Sequence, residues 1–394
     1  MELTESNING QLASPEALEN FQLQFAGEIL NADHEQYEQE RQLWNAMIDK
    51  RPAIIAQCMG VSDVIQAVNF ARDHNLLVAV RGGGHNVAGN AMNDHGLVID
   101  LSKMRTVMVD PINKKATVQG GANWGDVDRE TQAFGLACAG GVVSDTGVAG
   151  LTLGGGLSWF RRKVGMCIDN LIGAWMVLAD GSYVHVSENE HPDLFWAIRG
   201  GGGNFGIVTA FEFKLYELGP EVMFAACMYR REHADKIMSF WIDFTRDLPD
   251  ELTTDCIHWA IPAHEAFPEE LHGTQVSVLA GMYFGNPEQG EKALQPLREV
   301  AEPLLDLSGV YPYSAVNQMF DPFLKKGALN SYWKSLYVED ISDDLKELII
   351  SKANNSPSAE SLLSIRNLHG ALSRVPGEAT AFGDRSGRFL VSID

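Results

Sequence analysis

The stretch Arg81-Gly82-Gly83-Gly84-His85-Asn86 follows a short apolar run, residues 76–80, whose composition predicts a β-strand. Three consecutive glycines carry no Cβ, so the backbone of this turn can adopt a positive φ and approach a ligand closely. An arginine precedes the glycines and a histidine follows them. The stretch therefore predicts a phosphate-cradling turn that also presents an imidazole. The alternative is a tight turn with a surface histidine.

A βαβ unit leads into this turn. Residues 53–58 form an apolar run, and apolar residues recur at helical spacing between residues 62 and 74, with Ser62 as the helix cap. The turn then lies at the carboxyl end of the second strand of the unit. In open α/β sheets, ligands bind at that edge.

The overall composition restricts the class of protein. A chain of 394 residues favours two domains, and its net charge is 30 − 52 = −22. This charge argues against binding to a nucleic-acid backbone or an anionic membrane, since both require clustered Lys and Arg. It permits an anionic cofactor, because a few backbone N–H groups hold phosphate without lysine.

Neither a metal site nor a disulfide framework is predicted. The five cysteines are widely spaced and form no CxxC pair, so buried, reduced thiols are expected. The first 31 residues are polar and acidic, and no run approaches the roughly 18 apolar residues of a membrane span. The sequence therefore predicts a cytoplasmic protein.

Glycine is concentrated in one part of the chain. Residues 81–206 contain 24 of the 38 glycines, in several separate turns. One of these turns, Gly201-x-Gly203-x-x-Gly206, matches the dinucleotide-binding fingerprint, but a helical pattern precedes it and β-forming residues follow it. A Rossmann turn requires the opposite order, so that interpretation is rejected. Several glycine turns instead predict one long ligand wrapped by backbone.

The order of the loops is specific. After the Arg81–Asn86 turn come Ser144-Asp145-Thr146-Gly147-Val148-Ala149-Gly150, then residues 165–171 and 178–182, and finally residues 193–208 with Arg199-Gly200-Gly201-Gly202-Gly203-Asn204-Phe205-Gly206. Together they resemble the berberine bridge enzyme-like FAD-linked oxidases of the vanillyl-alcohol oxidase superfamily, which have a PCMH-type FAD-binding domain. The resemblance covers residues 50–215 motif by motif and the remainder in general layout.

The resemblance implies an α+β fold in two domains. A PCMH-type FAD-binding domain of two α/β subdomains is expected over residues 50–219, after an N-terminal helical segment, residues 1–49. An α+β substrate domain with an antiparallel sheet is expected over residues 220–394. FAD would extend between the two subdomains, and the antiparallel sheet would cover its isoalloxazine ring.

The resemblance also implies which residues hold FAD, with His85 bonded covalently to the 8α-methyl carbon of the flavin. Many relatives have a second link through a cysteine, but Val143 stands at that position and Cys138 lies five residues too early. A single covalent link is therefore expected. Thr146 occupies the position that resembles the family's oxygen-access gate. The predicted cofactor-binding residues are Arg81, Gly82, Gly83, Gly84, His85, Asn86, Ser144, Asp145, Thr146, Gly147, Gly150, Gly206 and Val208.

The implied activity is that of an FAD-dependent oxidase. A hydride would pass from a secondary alcohol, a sugar or a natural-product C–H to flavin N5, and molecular oxygen would then yield hydrogen peroxide. Alternatives are a non-catalytic or truncated flavin-binding protein and a flavin dehydrogenase that avoids oxygen. The partners expected are a small-molecule substrate and oxygen, without nucleic acid or membrane; substrate identity and oligomeric state are not predicted.

The catalytic base is not identified by the sequence. In many relatives it is a tyrosine of a Tyr-x-Asn segment, which is expected beyond Asp394 together with the family's C-terminal block. The remaining candidates come from an aromatic stretch and from a strand that resembles the one facing the flavin: Tyr332, Tyr337, Arg366, Asn367 and His369.

Overall fold

The computed structural model of the protein describes residues 14–394. Helices and strands are mixed along the chain and form three sheets, which confirms the predicted α+β fold class. Within the described residues, no helix is long and apolar enough to cross a membrane.

The strands supply all three sheets. In chain order they are β1 (Glu28–Leu30), β2 (Ile54–Gln57), β3 (Val78–Arg81), β4 (Leu97–Asp100), β5 (Val107–Asp110), β6 (Lys115–Gln119), β7 (Leu136–Cys138), β8 (Leu171–Val177), β9 (Tyr183–Ser187), β10 (Ile207–Glu217), β11 (Glu221–Arg230), β12 (Leu252–Ala260), β13 (Gln275–Tyr283), β14 (Leu305–Asp306), β15 (Gly309–Pro312), β16 (Lys334–Val338), β17 (Leu363–Asn367) and β18 (Phe389–Ile393).

The helices pack on the faces of these sheets. They are α1 (Pro15–Gln24), α2 (Tyr37–Glu40), α3 (Val61–Asp73), α4 (Trp124–Gln132), α5 (Val148–Leu153), α6 (Arg161–Val164), α7 (Pro192–Ala197), α8 (Ala234–Phe244), α9 (Pro287–Arg298), α10 (Tyr313–Gln318), α11 (Asp343–Asn354) and α12 (Ala371–Arg374).

The first sheet contains the predicted βαβ unit. Its strand order is β1-β2-β4-β3, and β2 and β3 both run parallel to β4, which lies between them. Every residue of β2 and β4 is buried because apolar groups cover both faces. Ile54 and Ile99 contribute to the core shared with α3, whereas Ile55 and Val98 pack with Tyr37 on the opposite face. β3 ends at Arg81, so the glycine turn begins at the carboxyl edge of this sheet.

The N-terminal segment differs from the prediction of a helical segment over residues 1–49. Besides α1 and α2 it contains β1, which pairs antiparallel with β2 through Ile29 and Ala56. Three residues are too short for an alternating pattern to emerge, and this strand exists because β2 offers it a free edge. Residues 1–13 lie outside the described part of the chain.

The second sheet is built around β10. Its order is β5-β6-β10-β8-β9, and β7 also pairs with β10. Phe211 and Phe213 of β10 pack in one core with Trp124 of α4 and Phe195 of α7. α7 precedes the 200–206 glycine turn and β10 follows it, so the helix–turn–strand order that excluded a Rossmann turn is confirmed.

The third sheet uses only strands after residue 220. Its order is β14-β11-β13-β12-β17-β18-β16, all antiparallel, and β15 also pairs with β11. One face is buried by α8, α9 and α11 through Trp241, Leu294 and Ile349. The opposite face meets residues that precede β8, and Trp159 packs edge-on to Phe224 at 5.1 Å between ring centroids.

Two buried arginines of α6 tie the third sheet to the earlier part of the chain. The guanidinium of Arg161 forms an ion pair with Asp255 of β12, and its Nε donates to the carbonyl of Asn367 at 3.0 Å. Arg162 donates to the Asn367 side chain at 2.9 Å and to the Leu252 carbonyl at 3.0 Å. Since buried charges are tolerated only with such partners, these contacts hold the sheet in one position.

Replacing Arg161 with Ala should lower the free energy of unfolding by about 3–5 kcal/mol, because Asp255 would remain buried without its counter-charge. Urea unfolding followed by tryptophan fluorescence measures the change. The matched control is Arg246→Ala, which removes an exposed pair with Asp243 at 3.2 Å and should cost less than about 1 kcal/mol. Equal losses in the two variants would contradict the interpretation.

Candidate functional site

Two glycine loops that are 60 residues apart in sequence meet at one point. We define the first glycine loop as residues 82–86 and the second as residues 144–150. A Cβ added to Gly83 would lie 2.6 Å from the backbone nitrogen of Gly147, and a Cβ added to Gly147 would lie 2.5 Å from that of Gly83. Only glycine at both positions permits this approach. The structure thus brings together the two loops singled out in the sequence.

The same close backbone approach continues beyond these two residues. A Cβ on Gly82 would lie 2.9 Å from the carbonyl oxygen of Gly120, and a Cβ on Gly120 would collide with the carbonyl oxygen of Val208. We call this line of backbone contacts, from Gly147 through Gly83, Gly82 and Gly120 to Val208, the glycine seam. It joins the edges of the first and second sheets.

The first glycine loop keeps its donors free. Within the described residues, the backbone N–H groups of residues 82–86 donate to no other protein group. In the second loop some donors are used, since the N–H of Ser144 bonds the carbonyl of Asn317 and that of Val148 bonds the carbonyl of Ala122, both at 2.9 Å. Consecutive unused N–H groups form a concave positive surface suited to phosphate.

The side chain of Arg81 stabilises the backbone at the start of the first glycine loop. Its buried guanidinium donates to both carboxylate oxygens of Asp100, at 2.9 and 2.5 Å, and lies 3.0 Å from the carboxylate of Glu40. The side chain that was predicted to contact a cofactor is therefore engaged in the fold. The backbone that follows it remains available.

His85 is held on two sides. Its imidazole stacks on Trp44 with 5.5 Å between centroids and 22° between planes, and its Nε2 lies 3.3 Å from Oδ2 of Asp145 in the second loop. Asn123 donates through Nδ2 to the other oxygen of Asp145 at 3.1 Å. The imidazole therefore lies where both loops and the N-terminal segment meet.

Trp44 and Asn123 contact the site although neither is among the residues predicted from the sequence. Trp44 donates from its backbone N–H to Gly84 at 3.1 Å and from its indole to Leu324 at 2.7 Å, while Trp333 lies edge-on to it at 5.5 Å. No motif surrounds Trp44, and its part in the site depends on tertiary contacts alone. For Asn123 a signal exists in the sequence, its position after Gly120-Gly121; it is also the N-terminal cap of α4.

Cys138, which is not expected to link the flavin, and the predicted cofactor-binding residues Gly206 and Val208 have distinct environments. Cys138 lies on β7 inside the core of the second sheet, where burial raises the pKa of its thiol well above its ordinary value. It is therefore a core residue. Val208 is buried at the start of β10, and Gly206 has a φ of 145°, which only glycine adopts readily.

Ser144 and Thr146 are only partly available. The hydroxyl of Ser144 donates to Asp321 at 2.5 Å, and the N–H of Thr146 donates to Val143 at 3.3 Å. Gly150 lies in the first turn of α5 with no atom within 4 Å of a Cβ placed there. In this loop the exposed backbone is more available to a ligand than the hydroxyls.

The candidate catalytic residues are dispersed. Asn367 is buried and accepts from Arg162, whereas Arg366 is half-buried beside it on β17. His369 is exposed, with a φ of 44°. Tyr337 lies edge-on to Phe382 at 6.3 Å, and burial raises its pKa. Tyr332 is 68% exposed. No hydrogen bond among the described residues connects any of the five with His85, so the catalytic base stays unassigned.

A cleft of about 620 Å³ opens beside the second glycine loop. This volume is in the range of small-molecule sites. Its walls come from both sides of the contact between the second sheet and the third: Arg105, Asn123, Gly125, Asp126, Arg129, Ser144, Asp145, Ser314, Gln318, Asp321, Leu324, Lys325 and Lys326. Because Asp145 contacts His85, the cleft begins next to the imidazole.

The buried carboxyl group of Asp128 lies close to the second glycine loop. Asp128 of α4 accepts from Nδ2 of Asn317 at 2.8 Å, and that nitrogen lies 3.1 Å from the hydroxyl of Tyr313. Burial raises the pKa of Asp128 to about 7, and the hydrogen bond from Asn317 offsets only part of this effect. Since the Asn317 carbonyl also holds Ser144, α10 connects this carboxyl with the loop.

The raised pKa of Asp128 has a defined consequence for stability. Between its ordinary value near 4 and about 7, the folded protein retains a proton that the unfolded chain has released, so the free energy of unfolding falls as the pH rises through this window. The variant Asp128→Asn should lack this decrease. Urea unfolding from about pH 5 to pH 8 should show the variant gaining stability over the parent by on the order of 2–3 kcal/mol. A pH-independent difference would contradict the assignment.

Replacing Gly147 with Ala should force the two loops apart, because the new methyl group overlaps the backbone of Gly83. We expect a fall of roughly tenfold or more in FAD affinity, equivalent to about 1.4 kcal/mol, measured by flavin fluorescence. The control Gly377→Ala adds the same methyl group at an exposed turn where nothing lies within 4 Å. If both variants retained FAD equally, the loop contact would not matter for binding.

Comparison with known proteins gives a consistent assignment. A family model described as an FAD binding domain matches residues 52–187. The chain is 32% identical over 312 residues to (R)-6-hydroxynicotine oxidase of Paenarthrobacter nicotinovorans, which covers 78% of this chain and 64% of that relative. The chain thus matches somewhat less than two thirds of that relative's length.

Two of the solved structures that share the fold illustrate the likeness. Glucooligosaccharide oxidase of Acremonium strictum, whose FAD is described as 6-S-cysteinyl and 8α-N1-histidyl, has a TM-score of 0.78 and 27% identity over 93% of this chain and 79% of its own. Physcomitrella patens BBE-like 1 has a TM-score of 0.83 and 20% identity, over 95% of this chain and 83% of its own. At this identity the likeness concerns the fold alone. The comparisons therefore show an FAD binding domain in this chain, a sequence similar to FAD-linked oxidoreductases, and a fold shared with a berberine bridge enzyme-like structure.

Proposed function

We propose that this protein is an FAD-dependent oxidase. It would transfer a hydride from a secondary alcohol, a sugar or a related C–H group to flavin N5, with reoxidation by molecular oxygen to hydrogen peroxide. The observation that carries the proposal is His85, which lies where two glycine loops with unused backbone donors meet. We further propose residues 50–219 as the FAD-binding domain and residues 220–394 as the substrate domain. The cytoplasmic location stays a prediction.

The residues present fit an extended dinucleotide. The free N–H groups of residues 82–86 would hold the diphosphate, as backbone donors do without lysine. The glycine seam would let the ligand run past Gly120 towards Gly206 and Val208, where the adenine end is proposed. These contacts are compatible with the acidic net charge of −22, because they need no cluster of basic side chains.

When bound, FAD supplies the hydride acceptor and the means of passing electrons to oxygen. The chain's own part is to position the substrate and exclude water. The third sheet, held by Arg161 and Arg162, would form the wall opposite the loops, and the 620 Å³ cleft would admit the substrate. Its lining is mostly polar and charged, which favours a polar substrate such as a hydroxylated compound.

We propose that the link to FAD is single. Glucooligosaccharide oxidase is described with both cysteinyl and histidyl attachment. In this chain Val143 stands at the position of the linking cysteine, and Cys138 lies in the core of the second sheet. His85 is therefore the one attachment point proposed.

Acid precipitation of the purified protein should give a yellow pellet, and intact mass should show one FAD attached. In the variant His85→Ala the pellet should be colourless, with the flavin in the supernatant, because the nucleophilic nitrogen is gone. The control His233→Ala alters an exposed histidine on the third-sheet side and should leave the pellet yellow. A colourless pellet from the parent protein would refute covalent attachment.

The oxidase activity is tested separately from the link. The holoprotein is mixed anaerobically with a panel of sugars and secondary alcohols while its flavin absorbance is followed. Bleaching, followed on admission of air by rapid recovery with hydrogen peroxide, supports the oxidase. Bleaching with slow recovery would indicate a dehydrogenase, and no bleaching by any compound would count against both.

A further inference from the structure

The imidazole of His85 has a specific partner on one of its nitrogens. Nε2 lies 3.3 Å from Oδ2 of Asp145, and Oδ1 of the same carboxylate accepts from Nδ2 of Asn123 at 3.1 Å. Trp44 stacks on the ring, and the imidazole side chain is 17% exposed. One face of the ring is therefore covered by Trp44, and its Nε2 edge is in contact with Asp145.

The carboxylate of Asp145 determines which tautomer of the His85 imidazole is favoured. An ionised carboxylate can only accept hydrogen bonds, so a neutral imidazole facing it carries its proton on Nε2. The lone pair is then on Nδ1. The hydrogen bond with His85 lowers the pKa of Asp145, an effect that burial opposes and that the charges of Arg105 and Lys326 reinforce. Asp145 is therefore ionised near neutral pH, and its carboxylate stays an acceptor.

Asn123 fixes the orientation of this carboxylate. Its amide nitrogen can only donate, so Oδ1 of Asp145 accepts from Asn123 while Oδ2 faces the imidazole. The carboxylate is half-exposed, and an exposed contact of this kind contributes little to folding stability. Its geometry points to a role in the chemistry of His85 more than to a role in the fold.

We propose that Asp145 is a positioning residue for covalent attachment of the flavin: it holds the proton on Nε2 of His85 and leaves Nδ1 as the atom that bonds the 8α carbon of FAD. This inference rests on the function proposed above. In attachment one C–H bond of the 8α-methyl group breaks and one Nδ1–C bond forms.

The atoms and electrons of this step balance. The methyl group and Nε2 each release one proton, and the flavin ring gains two electrons and two protons. Molecular oxygen then reoxidises the attached cofactor and becomes hydrogen peroxide. As the Nδ1 lone pair is consumed, positive charge develops on the imidazole, and the neighbouring carboxylate stabilises it, as an aspartate does for a catalytic histidine.

The test is the variant Asp145→Asn. Because Asn123 donates to the residue at this position, the amide oxygen of the new side chain would face Asn123 and its NH2 group would face Nε2 of His85. The histidine would then carry its proton on Nδ1, which blocks attack. Apoprotein from riboflavin-limited cells is incubated with FAD, and the covalent fraction is followed by intact mass.

The expected result is a rate of attachment lower by roughly tenfold or more at saturating FAD, a condition that separates attachment from non-covalent binding. Asp145→Glu, which keeps an acceptor, should recover most of the rate. Asp180→Asn makes the same change of charge in the distant β8–β9 turn and should behave as the parent. Peptide mapping should place the link of the parent protein on Nδ1.

Several outcomes would overturn the inference. One is attachment in Asp145→Asn at the parental rate and through the same nitrogen. Another is a loss of FAD affinity that accounts for the slower attachment, since the residue would then act in binding. If Asp145→Asn does not fold, Asp145→Ser is judged by the same criteria, and failure of both to fold would assign Asp145 a structural role. A parent protein with no covalent FAD would instead refute the proposed function.

Discussion

The close contact between the backbones of Gly83 and Gly147 is the constraint on which the site depends. One glycine follows β3 of the first sheet, and the other precedes α5 beside the second sheet, so their contact fixes how the two sheets meet. A side chain at either position would separate them by at least the width of a methyl group. The glycine seam that results is both a packing contact and the proposed floor of the cofactor site.

Polar contacts connect the third sheet and α10 with residues that come before residue 220 in the chain. Arg161 and Arg162 hold β12 and β17, while Asn317 joins Asp128 with the backbone of Ser144. The side chains of Arg161, Arg162, Asp128 and Asn317 are buried, and these contacts would be costly to break because a buried charge or polar group would lose a partner. The cleft beside His85 therefore has walls whose relative position is defined.

Local sequence patterns were sufficient to predict much of the fold. The apolar runs and helical spacing of β2, α3 and β3 are strong local signals, and the order of α7, the glycine turn and β10 correctly excluded a Rossmann turn. β1 and α5 were missed. β1 is too short to have a pattern of its own, and α5 lies in a glycine-rich segment where propensity argues against a helix, so packing of Val148 and Ala149 in the core of the second sheet decides its conformation.

The sequence by itself predicted the class of site, because the order and spacing of glycine turns are properties of the chain alone. Only the tertiary structure decided which side chains meet there. It turned Arg81 inward to Asp100, brought Trp44 onto His85, and placed Asp145 against the imidazole across 60 residues. The physical reason is that a backbone turn depends on neighbouring residues, whereas a contact between distant side chains depends on how all three sheets pack.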